Sequence, residues 1–119
     1  MAGCGGGGSD FPTGEWAATG PDGIGVVSFR PDGTWTFSFG KSMDDQTEAS
    51  SGLYSTTDEA ITFETDTYCK SQDPAVEQAK YVWTLQGEHL SFDAVLERCA
   101  PRKAAFDPYR YLRVAAGED

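Results

Sequence analysis

Between residues 20 and 39 a ten-residue unit occurs twice, first as Gly-Pro-Asp-Gly-Ile-Gly-Val-Val-Ser-Phe and then as Arg-Pro-Asp-Gly-Thr-Trp-Thr-Phe-Ser-Phe. Each copy reads as a turn followed by a strand. Proline presets φ for the first central position of a turn, aspartate bonds to nearby backbone, and glycine takes the left-handed position that closes a hairpin with a bulge. Two such units in succession predict an up-and-down meander. With Pro31-Asp32-Gly33 as a three-residue loop, Arg30 faces Thr34, Phe29 faces Trp35, Ser28 faces Thr36 and Val27 faces Phe37. The period-2 alternation then gathers Val27, Phe29, Trp35, Phe37 and Phe39 on one face and the polar residues on the other. An apolar face of that kind must be covered by a second sheet or by closure of the sheet on itself.

The rest of the chain repeats the pattern. Strands are expected over residues 11–17, 24–30, 34–40, 52–56, 60–65, 80–86, 89–96 and 109–114. The two-residue turn Asp58-Glu59 sets Tyr54 against Phe63 and Thr56 against Ile61, and Gly87-Glu88 sets Trp83 against Phe92, Tyr81 against Ala94 and Leu85 against Leu90. Residues 41–50 and 66–78 read as long polar loops, with a helical turn at 74–78, and residues 98–107 as a connection. Eight short strands joined in sequence, each with one apolar face, predict a closed eight-stranded up-and-down antiparallel β-barrel. An immunoglobulin-like sandwich is the rival, but its long crossovers have little room here. The domain spans residues 11–115, between a flexible Gly-rich tether (1–10) and an acidic tail (116–119).

At 119 residues the chain holds one core, and its formal charge of -10 argues against a nucleic-acid or anionic-lipid surface. A soluble monomer is expected. Of the three cysteines, Cys69 and Cys99 lie in loops at the two ends of the hairpin formed by residues 79–96. A disulfide between them is sterically reasonable and places the protein in an oxidising compartment. Cys4 follows Met1-Ala2-Gly3 and precedes a Gly/Ser run. That stretch resembles the cleavage end of a bacterial lipoprotein signal, with Cys4 as the lipidated residue and the only route to a membrane, although the charged and apolar parts of such a signal are absent.

Gly14-Glu15-Trp16 near the start and Arg113 near the end resemble the lipocalin and calycin signature, in which a Gly-x-Trp opens the first strand and a late basic residue packs across the tryptophan to close the barrel. The resemblance covers residues 11–114 and implies a small bacterial lipocalin-like lipoprotein, secreted or lipid-anchored, with Trp16 and Arg113 closing the barrel. Two departures stand out. The internal Thr-Asp-Tyr motif of lipocalins is absent, and a three-residue loop at Pro21-Asp22-Gly23 puts Trp16 opposite Ser28, on the outer face, unless a bulge near Gly20 restores it.

Catalytic chemistry has little support. His89 is the lone histidine, no Gly-x-Ser-x-Gly, phosphate loop or paired metal-ligand motif occurs, and Glu64 and Asp93 alternate outward. Asp44, Asp45 and Glu48 lack the spacing and turn glycine of a calcium loop. No catalytic residue, metal or cofactor is assigned. What remains is the inward aromatic set, and Trp35, Phe37, Tyr54, Phe63, Tyr81, Trp83 and Phe92 are the candidate wall for a small hydrophobic or aromatic ligand. The same residues could instead fill a solid core. A cofactor-free cyclase that shapes a reactive chain in the pocket, and a protease-inhibitor barrel acting through its loops, are the alternative functions.

Overall fold

The structure, a computed structural model, describes residues 11–69, 78–107 and 109–114. Eight antiparallel strands follow one another round a closed barrel, each paired with its neighbours in sequence and the first with the last. They are β1 (Gly14–Gly20), β2 (Gly23–Phe29), β3 (Thr34–Ser42), β4 (Asp45–Thr56), β5 (Ala60–Phe63), β6 (Ala79–Gln86), β7 (His89–Leu96) and β8 (Arg110–Arg113), and among the described residues a helix, α1 (Ala100–Phe106), lies between β7 and β8. This is the up-and-down topology of the calycin barrels.

Three hairpins take the expected registers because their turn residues and their alternation agree. Phe29 pairs with Trp35 and Val27 with Phe37, Tyr54 with Phe63, and Trp83 with Phe92. In the β2–β3 loop Gly33 has φ +91, its N–H donates to the Arg30 carbonyl and that of Arg30 to the Thr34 carbonyl. Asp32 accepts from the Thr34 N–H and hydroxyl at 3.0 and 2.7 Å.

The first copy of the repeat turns differently from the second. Gly20 pairs with Gly23 across the two residues Pro21 and Asp22, so Trp16 faces Val27 rather than Ser28. A one-residue slip exchanges the faces of a whole strand. Trp16 is therefore fully buried, and no bulge is needed. Glycine makes the shorter turn possible: Gly23 has φ +150, and a Cβ there would lie 2.4 Å from the Gly40 carbonyl oxygen.

Two expected loops carry regular structure. Residues 41–50 are not a loop, since β3 runs to Ser42 and β4 starts at Asp45 across a two-residue turn. From Asp45 to Ala49 most side chains of β4 are exposed, which erases the alternation that marks a half-buried strand. Phe39, expected inside, is 42% exposed beside the register shifts of this hairpin. Within 98–107, α1 forms from Ala-Pro-Arg-Lys-Ala-Ala-Phe, good helix formers with proline in the first turn, where its missing N–H costs nothing. The helical turn expected at 74–78 falls almost wholly on residues outside those described.

The topology sorts the connections by end. The tight turns at 30–34, 57–60 and 86–89 share one end of the barrel, and Phe11 seals it from inside, its ring 4.9 Å from Phe29 and 5.3 Å from Trp83 between centroids. The β1–β2 and β3–β4 turns, the β5–β6 connection and α1 share the other end.

Candidate functional site

Strand alternation delivers aromatic side chains into the barrel, but their polar tips are already engaged. The Tyr54 hydroxyl donates to the Arg30 carbonyl at 2.6 Å and the Trp83 indole N–H to the Thr57 carbonyl at 3.1 Å. The Trp35 indole N–H donates to the Thr65 carbonyl at 3.2 Å, and the Tyr81 hydroxyl to Glu97 at 2.6 Å. Burial, with a smaller contribution from Asp32, pushes the Tyr54 phenol up to about 12. Burial first, and then the hydrogen bond to Glu97, raises Tyr81 as well. Neither hydroxyl is poised to move a proton near neutral pH.

Phe63, Tyr81 and Phe92 form the middle of the barrel with at most 1% exposure. The group that completes their packing is Phe106, from the helix that the sequence reading placed in a connection. Its ring centroid lies 5.0 Å from Phe63, 5.3 Å from Phe92, 5.9 Å from Phe37, and 6.0 Å from Tyr111. The helix is held at its N-terminal end by the Cys69–Cys99 disulfide, which closes a separation of 30 residues. Arg102, one turn before Phe106, places Nε and Nη2 on the Glu97 carboxylate at 2.7 and 2.9 Å and Nη1 on Asp66 at 3.1 Å. Burial alone would lower its pKa; Glu97 and then Asp66 outweigh that and raise it. Asp66 also accepts from the backbone N–H groups of Tyr68 and Cys69. Sequence reasoning missed Arg102 and Phe106, although a cation and a phenylalanine four residues apart share one helical face.

No family model, curated protein or solved structure matches the chain.

Among the described residues, clefts of about 230 Å³ each open on either side of the helix at the α1 end of the barrel, and a further hollow is lined by Ala100, Lys103, Ala104 and Asp107. The first is walled by Trp35, Phe37, Phe106, Tyr68 and Ala105, with Asp66 and Arg102 at its base. The second lies over Ala18, Gly25, Phe37, Phe39 and Tyr109. Phe37, Pro101 and Ala105 border both.

The wall residues expected from sequence thus fall in three places. Trp35 and Phe37 line the first cleft, and Phe37 also lines the second. Phe63, Tyr81 and Phe92 lie in the sealed interior beneath Phe106, while Tyr54 and Trp83 sit at the closed end against or near Phe11. Trp16 and Arg113, expected from the resemblance to close the barrel, are in contact: they pair across the β1–β8 seam, and the guanidinium carbon lies 4.3 Å from the indole centroid. Cys4 lies outside the described residues. Among the described residues no group of three or more acidic, histidine or cysteine side chains could hold a metal ion.

Proposed function

We propose that the protein binds a small hydrophobic or aromatic molecule at the open end of the barrel, in the cleft bounded by Trp35, Phe37, Tyr68 and Phe106. The observation that carries this reading is the mouth itself. Phe11 closes the barrel at one end and Phe106 caps the interior at the other, but between α1 and β3 the half-buried Phe37 and the exposed Tyr68 border open space in one wall with Trp35 and Phe106. At about 230 Å³ the space falls just below the range of ordinary ligand pockets, about 300–1,000 Å³, which suits a molecule of one or two rings. Extracytoplasmic function, as a secreted or Cys4-anchored bacterial lipoprotein, belongs to the same proposal. The Cys69–Cys99 disulfide supports the compartment.

The test is an NMR titration with uncharged aromatic probes from toluene to naphthalene. Shifts centred on the Trp35 indole N–H and the amides of Ala49, Ser50 and Ala105, weakened in Trp35→Leu, are the expected result. Probes that leave those signals unmoved up to their solubility limits would remove the reading.

A further inference from the structure

The proposed cleft combines two features that act on charge in the same direction. The first is its aromatic wall. Trp35 and Phe37 project from the same face of β3, and Phe106 meets them at inclined angles, 71° at 6.4 Å for Trp35 and 58° at 5.9 Å for Phe37. The rings therefore form a corner rather than a stack, with Tyr68, 58% exposed, at the rim. Trp35 and Phe106 are each 1% exposed, so a cation in the cleft would meet chiefly the half-buried Phe37 and the exposed Tyr68, and the negative face of an aromatic ring attracts cations.

The second feature is the charge at the base. Arg102 is the cationic side chain in the lining, but its guanidinium is turned onto Glu97 and Asp66 and is buried with them, each side chain being 1% exposed. Two carboxylates against one guanidinium leave a net charge of -1 beneath the cleft. The whole chain, at -10, adds a field that draws cations and repels anions.

We infer that the ligand is a compact organic cation, an amine or quaternary ammonium on an apolar or aromatic body, and that the cleft discriminates against anions of the same shape. This rests on the binding function proposed above and sharpens it. The aromatic corner supplies the apolar contact, and the buried triad and the ring faces supply the charge preference. No direct ion pair with Asp66 is required, because its oxygens remain on Arg102 and the loop backbone.

The test uses three compounds of one body: phenethylamine, 2-phenylethanol and phenylacetate, titrated at pH 7 and low salt with the same amide and indole signals as readout. Phenethylamine should bind about tenfold tighter than the alcohol, and phenylacetate more weakly than either. Raising the salt concentration should narrow these gaps. Ala49, exposed on β4 and part of the lining, allows a change of rim charge away from the core. Ala49→Lys should erase or invert the order and Ala49→Glu, of similar bulk, should widen it. Asp66→Asn, where it folds, should reduce the preference for the cation. Equal affinity for the three compounds, or tighter binding of the alcohol or the acid at these same residues, overturns the charge inference and leaves the binding function standing. If none of the three moves these signals, both fall.

Discussion

Truncating Phe106 is the perturbation on which the reading of the barrel interior depends most. The ring is 1% exposed and has Trp35, Phe37, Phe63, Tyr81, Phe92 and Tyr111 as ring partners. Phe→Ala changes at sealed core positions cost about 3–5 kcal/mol, part of it for the void left behind. Here the void opens onto the neighbouring cleft, which Phe106 itself lines, so water can enter and some of the cavity contribution is lost. The lower part of the range, about 3 kcal/mol, is the expectation for Phe106→Ala, with Phe106→Leu costing about 1–1.5 kcal/mol. For a domain of this size that is a fall in Tm of about 12–18 °C for the alanine variant. Urea unfolding followed by tryptophan fluorescence and far-UV circular dichroism measures it. Ala104→Gly, at an exposed position of the same helix, isolates helix propensity and should cost about 1 kcal/mol. A loss below about 1 kcal/mol for Phe106→Ala would show that α1 does not plug the barrel, and the account of the interior would fail with it.

Removing the disulfide, by Cys69→Ser with Cys99→Ser, should cost about 3–4 kcal/mol on the chain-entropy model for a loop of 30 residues. Because Cys99 immediately precedes α1, hydrogen exchange should show α1 losing protection first, and an unchanged urea midpoint would refute the constraint. Burial raises the phenols of Tyr54, Tyr81 and Tyr111 above their ordinary value. A phenol whose pKa is raised by folding stabilises fully below the unfolded value, about 10, and that stabilisation is lost as pH climbs toward the folded value. Stability should therefore decline from about pH 10, with Tyr54 ionising first of the three, near 12. Ultraviolet titration that finds all five tyrosines ionising together near 10 while the fold persists would contradict their burial.

The parts of this fold that could be read in advance are those where two independent signals coincide. At Arg30–Thr34 the turn chemistry and the alternation of Val27, Phe29, Trp35 and Phe37 demand the same register, and the structure adopts it. At Gly20–Gly23 the turn chemistry alone allowed two registers, and the choice fell to a glycine approaching the Gly40 carbonyl, a contact between strands invisible along the chain. The two-residue turn sets Trp16 opposite Val27, and its indole is buried with the Arg113 guanidinium over it. The outer half of β3–β4 was illegible for the opposite reason: its backbone pairs while few of its side chains bury, so no periodicity records the pairing. Of the residues lining the first cleft, alternation turned Trp35 and Phe37 inward, whereas Phe106 belongs to a seven-residue helix too short to show a repeat.

That short helix also explains how a strongly acidic chain comes to bury an arginine with two carboxylates at the mouth of an aromatic barrel. Ion groups of this sort rarely stabilise a fold outright, since desolvation offsets most of the attraction. Their geometry is what they contribute. Arg102 and Phe106 lie four residues apart, so they share one face of α1. When the guanidinium reaches Glu97 and Asp66 together, the helix is rotated so that Phe106 points down the barrel axis into Phe63 and Phe92. A helix turned by one residue would keep neither set of contacts. The aromatic ring supplies most of the energy of docking, the ion group supplies its angle, and the disulfide at Cys99 limits how far the helix can wander from it. The cleft between α1 and β3 follows from that angle. Phe37 stays only half-buried, with the buried Trp35 beside it, along the side of the helix that carries Pro101 and Ala105, where two small or rigid side chains leave room that a leucine or phenylalanine would have filled.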